Sequence, residues 1–199
     1  MKLKVVVSLL AISSFFGVAA RAQEYSKLDL FAGYSYVRAN PSGDSGLASF
    51  NMNGGEASLA YNVNSWLSGV FDVGGYHASR DLMLACPFPF TTCPVTSGKG
   101  NTWTYLSGPR LSYRHLGRFT PFEQILFGVG HATPNVFLTS SQTHFAMTIG
   151  GGFDYRLTHR LSLRPIQADY LLTHFKEFDI ANRPTQNNLR LSTGLVFHF

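Results

Sequence analysis

The chain ends in "NLRLSTGLVFHF", residues 188–199, and this stretch decides the fold. From Leu189 onward every second residue is apolar or threonine, whereas Arg190 and His198 belong to the other set. Alternation with a period of two is typical of a β-strand with one apolar and one polar face. The strand finishes on an aromatic residue, Phe199, which a soluble sheet protein has no need to do.

The same alternation recurs along the chain after residue 23. It is clear in "LDLFAGYSY", residues 28–36, and in "HFAMTIGGGFDYRL", residues 144–157, and no stretch of useful length has a helical period. The pattern predicts eight strands, at residues 27–38, 51–63, 66–77, 102–114, 119–132, 143–157, 161–173 and 187–199. The connections alternate strictly between short ones (64–65, 115–118 and 158–160) and long ones (39–50, 78–101, 133–142 and 174–186).

The predicted strands are long. Most have about 12 to 15 residues, whereas strands of soluble sheets usually have about 5–6. A tilted strand needs about 9–11 residues to cross a bilayer. The lengths therefore favour strands that cross a membrane and project beyond it.

The content of the two strand faces indicates which face points outward. A lipocalin also has eight alternating strands, but its apolar face lines the cavity. Here the polar face is rich in glycine, and Lys27 is the one strand lysine after residue 23. An eight-stranded barrel has an interior just wide enough for its own side chains, which small residues and paired charges suit. The charges of this face are balanced: Asp29, Glu56, Asp72, Asp154, Asp169, Arg110, Arg114, Arg156, Arg164 and Arg190.

The predicted fold is therefore an all-β, eight-stranded, antiparallel up-and-down transmembrane β-barrel with its charged face in the lumen. Aromatic residues near the strand ends fit the girdles of such barrels. An even strand count places both termini and the short turns on the periplasmic side, with the long loops outside.

Two strands depart from simple alternation. Arg164 and Gln167 cannot both face inward in a regular strand, because they differ by an odd number of positions. Pro165 lies between them and lacks an N–H, so we predict a β-bulge near Pro165 and Ile166. Glu123 has outward parity, and its position near a short turn predicts that it reaches the periplasmic interface.

The first 22 residues have the features of a secretory signal peptide. Lys2 and Lys4 precede the apolar run 5–18, and Ala20-Arg21-Ala22 fits a cleavage site before Gln23. The alternative, a membrane-spanning helix, is less favoured because the run is short. Residues 23–199 then form the barrel domain. Three of the 16 basic residues belong to the signal, which leaves 13 basic against 11 acidic residues, and their scatter does not indicate a nucleic-acid partner.

The chain has two cysteines, Cys86 and Cys93, separated by six residues in a proline-rich segment. In an exported chain this spacing favours a disulfide. Two cysteines without a histidine neighbour are half of a zinc site, so we expect no metal and no cofactor.

Together these features resemble the outer-membrane protein A-like family of eight-stranded barrels. The resemblance covers nearly all of residues 23–199 and is carried by the signal peptide, the eight alternating strands, "PFEQILFGVG", "IGGGFDYRL" and the final "GLVFHF". It implies a location in the bacterial outer membrane, in contact with its lipid. It also implies that Leu195, Phe197 and Phe199 are read by the barrel-assembly machinery as an insertion signal. The alternative is that Phe199 is only an interfacial anchor.

The first functional hypothesis is a non-enzymatic barrel that supports the envelope and binds an extracellular ligand through loop 78–101. Within that loop "DLMLACPFPFTTCPV" is unusually apolar, and exposed apolar patches often mark interaction sites. The alternative is that this loop folds over the barrel mouth and packs on itself.

Two further hypotheses remain open. A narrow ion pore would use a lumen charge network in which Arg110, Arg164 and Arg190 face Glu56, Asp72 and Asp169 at mid-depth, but a filled lumen would block it. A lipid A-modifying enzyme would use His77, Ser79 and Asp81 of "YHASRD", which share one parity, although this spacing on a strand is common by chance. The expectation is that the protein is not an enzyme.

Overall fold

The computed structural model describes residues 25–40, 49–83, 95–133, 141–174 and 185–199. These residues form eight strands: β1 (Leu28–Ala39), β2 (Phe50–Asn62), β3 (Leu67–Met83), β4 (Val95–Ser112), β5 (Phe119–Ala132), β6 (Gln142–Arg156), β7 (Leu161–His174) and β8 (Thr185–His198). Each strand is antiparallel to the next, and β8 pairs with β1 to close the barrel. Closure leaves no unpaired sheet edge, which is what a sheet in a bilayer requires. The predicted fold class is confirmed.

The strand ends agree with the predicted ends to within two residues, except in the hairpin of β3 and β4. There the pairing continues from His77 and Asn101 to Met83 and Val95. The expectation of a loop at 78–101 is therefore wrong for most of that range. Beyond a bilayer both faces of a hairpin meet water, so its sequence does not need the alternation on which the prediction depended.

The orientation of the two faces is as predicted. In β1, Leu30 and Tyr34 are exposed on the outer wall, whereas Asp29 and Ser35 are buried in the lumen. The same alternation of exposed and buried residues runs through the other strands. The lipocalin-like alternative, with apolar residues inward, is therefore wrong. Among the described residues, no helix is long and apolar enough to span a membrane.

The irregularity in β7 is confirmed. The register between β7 and β8 shifts between Arg164 and Gln167, and both of these side chains are buried. Pro165 and Ile166, between them, are both exposed on the outer wall. In β5, Glu123 is exposed with outward parity, as expected.

The lumen is more apolar than expected. Phe31, Phe122 and Val196 lie on the inward face, as their parity requires, although the prediction characterised that face by its small and charged residues. A contiguous buried cluster fills part of the interior: Val37, Ala39, Met52, Ala60, Val70, Tyr76, Leu106, Leu126, Ala146 and Leu171. Because the interior of a barrel this small is shielded from both lipid and water, apolar side chains fill it as well as paired charges do.

The two ends of the barrel differ. The short turns 63–66, 113–118 and 157–160 lie at one end, which we call the turn end. Gly117 has a φ of 65° in the second of them, a left-handed conformation that glycine adopts without steric cost. The start of β1 and the finish of β8 also meet at the turn end, where the backbone N–H of Lys27 donates to the carbonyl of Phe199. We call the opposite end the loop end.

Candidate functional site in the barrel lumen

Arg190 of β8 is the centre of a buried group of charges. Its guanidinium lies 2.7 Å from an Asp169 oxygen, 2.8 Å from an Asp72 oxygen and 3.5 Å from a Glu56 oxygen. The four side chains are at most 1% exposed. Asp169 is on the neighbouring strand β7, whereas Asp72 reaches Arg190 across the lumen from β3. Ionic contacts across a lumen tie together strands that share no backbone hydrogen bonds.

Neutral polar side chains complete the coordination of these carboxylates. Gln167 donates from its amide nitrogen to Glu56, at 3.0 Å, and to Asp169, at 2.7 Å. The hydroxyl of Ser192 donates to the second oxygen of Glu56 at 2.5 Å. Buried carboxylates are tolerated when such donors accompany the ion pair.

Arg164 adopts a different arrangement from the expected one. Its guanidinium binds both oxygens of Asp154, at 2.7 and 3.0 Å, and donates to Gln167 at 2.7 Å. It also lies between the rings of Phe31 and Phe122, 4.4 and 4.3 Å from their centroids. The contact of Arg164 with the central carboxylates thus runs through Gln167.

Arg110 also does not meet the three carboxylates directly. Its Nε and Nη2 donate to Gln124 Oε1 at 3.0 and 2.8 Å, and Gln124 in turn donates to Asp169 at 3.3 Å. The guanidinium stacks on Phe122, 4.5 Å from the ring centroid. Among the described residues, no carboxylate lies within 4.0 Å of Arg110.

Two glycines make room for this group. A Cβ on Gly150 would lie 2.4 Å from Asp169 Oδ1, and a Cβ on Gly74 would lie 2.3 Å from the Tyr76 hydroxyl. Tyr76 itself accepts from Arg190 at 3.4 Å. These two glycines therefore leave space for the long polar side chains beside them.

A second polar group lies at the turn end, around Asp29. Its carboxylate accepts from Asn62 at 2.7 Å and from Arg114 at 3.2 Å, and lies 2.6 Å from His198 Nδ1. The hydroxyl of Ser26 also donates to it. Arg114 lies beyond the end of β4, where burial lowers the pKa of its guanidinium and Asp29 raises it.

A cavity of about 670 Å³ opens beside this second group, and we call it the turn-end vestibule. Its walls include Asp29, Arg110, Arg114, Asp154 and Arg156. Beyond it the lumen is occupied by Arg164, Gln167 and Arg190, whose exposed fraction is 0%. The vestibule is therefore closed at its inner end by side chains.

The remaining predicted residues do not join the lumen charge network. Leu195, Phe197 and Phe199 are exposed, and Phe197 and Phe199 also border the turn-end vestibule. His77 is exposed near the loop end, and its Nδ1 lies 2.7 Å from Oδ1 of Asn101. The side chains of Ser79 and Asp81 lie outside the described part of the structure. Cys86, Cys93 and residues 1–22 lie outside them as well. Among the described residues no group of three metal-ligating side chains is found.

The sequence interpretation missed Gln124, Tyr76 and Ser192 as members of the lumen network, because it considered charged residues alone. It placed Gln167 on the inward face but assigned it no hydrogen-bond partners. The available signal was a glutamine of inward parity in the middle of a strand, because such a side chain must find hydrogen-bond partners inside the barrel.

A closed barrel with an apolar outer wall and a polar, side-chain-filled lumen defines a transmembrane β-barrel protein. Residues 8–199 match the family model described as the outer membrane protein beta-barrel domain, so the chain belongs to that family. The resemblance inferred from the sequence is confirmed at this level. No curated protein matches the chain.

Solved structures of other outer-membrane barrels share the fold. Neisserial surface protein A is 17% identical, with a TM-score of 0.59 over 89% of this chain and 100% of that one. Ail, the attachment invasion locus protein of Yersinia pestis, solved in complex with the heparin analogue sucrose octasulfate, is 13% identical with a TM-score of 0.57, over 88% and 100%. OprG of Pseudomonas aeruginosa is 10% identical with a TM-score of 0.52, over 89% and 97%. At these identities the likeness shows the fold alone.

Proposed function

We propose that this barrel is a non-enzymatic component of the outer membrane that supports the envelope and presents the hairpin of β3 and β4 to the exterior. The filled lumen is the observation that supports the envelope role. The length of the hairpin is the observation that supports its presentation to the exterior.

The filled lumen supports a structural role over a conducting one. Arg164, Gln167 and Arg190 are completely buried at the centre, and each is held by at least two hydrogen bonds. An ion that crossed the barrel would have to displace side chains engaged in buried ion pairs, at a cost of several kcal/mol. The same contacts cross-link strands on opposite sides of the barrel and stabilise it against opening.

The hairpin supports a surface role. β3 has 17 residues and β4 has 18, whereas the other strands have 12–15. Outer-membrane barrels have short periplasmic turns and longer extracellular loops, so the loop end faces outward. Within the part of the chain that the structure describes, the strands of this hairpin are the longest at that end. The sequence 82–90, which begins at the end of β3 and continues after it, is mostly apolar.

The chemistry of the hairpin favours an apolar partner. Residues 78–101 carry Arg80, Asp81 and Lys99 as their only charged side chains. Ail was solved with a sulfated heparin analogue, a ligand that calls for clustered basic residues. This hairpin lacks such a cluster, so we infer contact with an apolar surface instead.

Complementation separates the two roles. In the native bacterium lacking this gene, we would restore either the full chain or a variant in which residues 79–98 are replaced by a four-residue turn. Both should restore resistance to detergent, because the barrel is intact. Only the full chain should restore retention of whole cells on octyl-agarose. Heat-modifiable gel mobility provides the control that the variant is folded.

Three results would contradict the proposal. Reproducible channel openings of the purified barrel in planar bilayers would favour the pore hypothesis over the structural one. Equal retention of cells that carry the full chain and the shortened variant would remove the role of the hairpin. An altered lipid A mass that reverts with Ser79→Ala would favour the enzyme hypothesis.

A further inference from the structure

The turn-end vestibule has an excess of positive side chains. Five of its lining residues are basic, namely Lys27, Arg110, Arg114, Arg156 and Arg160, and two are acidic, Asp29 and Asp154. Counting side chains alone, the excess is three positive charges before any histidine is protonated. The proposed envelope role of the barrel makes no use of this cavity.

Both acidic residues of the vestibule already have partners. Asp154 is bound through both oxygens by Arg164, which closes the inner end of the cavity. Asp29 is shared by Arg114, Asn62 and His198. Neither carboxylate is therefore free to neutralise the remaining basic side chains.

Arg110 has no anionic partner although it is only 5% exposed. Its hydrogen bonds go to the neutral Gln124, and no described carboxylate lies within 4.0 Å. A buried charge without a counter-ion is costly. An anion in the vestibule would offset that cost.

Arg114, which lines the same cavity, has one donor group without a partner. Its Nη2 is bonded to Asp29 and Asn62, but its buried Nη1 has no hydrogen-bond partner. Arg156 acts on it as a second positive charge and lowers the pKa of the Arg114 guanidinium, in addition to the larger effect of burial. Two like charges that line one cavity favour an anion between them.

We propose that the turn-end vestibule binds a multivalent phosphate group, held by Arg110, Arg114 and Arg156. Guanidinium groups present paired donors that match the oxygens of phosphate, and such charge-assisted hydrogen bonds are the strong ones. The volume of about 670 Å³ lies in the range of small-molecule sites, so the cavity has room for the group that carries the phosphate. Because short turns are periplasmic in such barrels, the ligand arrives from the periplasm, either as a free phosphate compound or as a lipid headgroup.

Calorimetric titration of the full barrel in octyl glucoside micelles tests this proposal, with inorganic pyrophosphate as the probe. We expect saturable binding with one site per barrel. The variant Arg114→Gln/Arg156→Gln, altered at the accessible mouth, should bind at least about tenfold more weakly because it loses charge-assisted hydrogen bonds. Arg110→Gln should weaken binding in the same direction. The matched control for Arg110→Gln is Arg38→Gln, which also removes one positive charge but at the loop end, and which should bind like the parent.

Two competitors distinguish the source of the phosphate. If dihexanoyl phosphatidic acid displaces pyrophosphate at lower concentration than free phosphate esters do, and dihexanoyl phosphatidylcholine does not, the ligand is a lipid headgroup. If free phosphate esters displace pyrophosphate at lower concentration than dihexanoyl phosphatidic acid does, the ligand is a free phosphate compound.

Three results would overturn the proposal. One is the absence of saturable binding at low ionic strength. Another is equal affinity of the parent and the Arg114→Gln/Arg156→Gln variant. The third is equal displacement by sodium chloride or succinate at matched ionic strength, which would show general screening instead of a phosphate site.

Discussion

We expect the replacement of Arg190 with methionine to destabilise the lumen, because Arg190 contacts three buried carboxylates. Methionine retains much of the volume of the arginine stem and removes the guanidinium. Glu56, Asp72 and Asp169 then lose the positive charge that lies 2.7 to 3.5 Å from their oxygens. The surrounding polar donors, Gln167 and Ser192, stay in place.

The expected cost follows from the burial of these carboxylates. Removing one partner of a buried ion pair costs about 3–5 kcal/mol. A separate argument gives a similar value. A carboxylate that has lost its partner can avoid the penalty by taking up a proton. Because pH 7 is roughly 3 units above the ordinary pKa of a carboxyl group, that protonation costs ~4 kcal/mol. We therefore expect Arg190→Met to lower the free energy of unfolding by about 4 kcal/mol, or ~1,000-fold in the folding equilibrium constant.

Urea titration of the barrel in lipid vesicles measures this difference, with the compact, heat-modifiable band on a gel as the readout of folded protein. The control is Arg38→Met. Arg38 is exposed and donates to Asn51 and Ser49 near the loop end, so its loss should cost well under ~1 kcal/mol.

Two further measurements sharpen the test. Lower pH supplies the protons that the stranded carboxylates need, so the deficit of Arg190→Met should shrink between pH 7 and pH 5. Adding Glu56→Gln to Arg190→Met should recover part of the lost stability, since one uncompensated charge is removed. If Arg190→Met is no less stable than Arg38→Met at pH 7, the central charges do not stabilise the barrel and the reasoning fails.

Three further predictions concern other parts of the barrel. Gly128→Ala places a Cβ 1.9 Å from the carbonyl oxygen of Tyr105 and should cost about 1–3 kcal/mol in urea titration, whereas a Cβ on Gly69 meets nothing within 4 Å and Gly69→Ala should be near neutral. Arg164→Lys loses a bidentate ion pair and two ring contacts, so the same titration should show a loss of about 2 kcal/mol, and an unchanged midpoint would contradict the role given to that geometry. Phe199→Ala should reduce the heat-modifiable fraction in cells but not the yield of folding into pure vesicles, if the final aromatic is an insertion signal; an equal loss in both would indicate an interfacial anchor.

The strands and their orientation could be predicted from the sequence because each depends on neighbouring residues. Period-two alternation is a local property, and the charge and glycine content of one face identified it as the lumen face. Even the bulge in β7 was visible, since Arg164 and Gln167 have opposite parity around a proline. The extended hairpin of β3 and β4 was missed where both faces meet water and the alternation ends.

The ion-pair partners in the lumen could not be predicted in the same way. Arg190 and Asp72 are 118 positions apart, and their contact depends on how the register of each strand pair accumulates around the barrel. Parity places both side chains inward but does not determine their relative positions along the barrel axis. The actual partners of Arg110 and Arg164 follow from those positions and from the aromatic rings beside them.

The bulge at Pro165 reverses the order in which side chains of β7 point inward and outward. Above it, Asp169 faces the lumen and Tyr170 faces outward only because one extra residue has been inserted below them. Deleting a single residue there would give a more regular ladder of backbone hydrogen bonds and would turn the upper half of the strand inside out. Strand segments exchanged between this barrel and another must therefore match in odd or even length as well as in hydrophobicity.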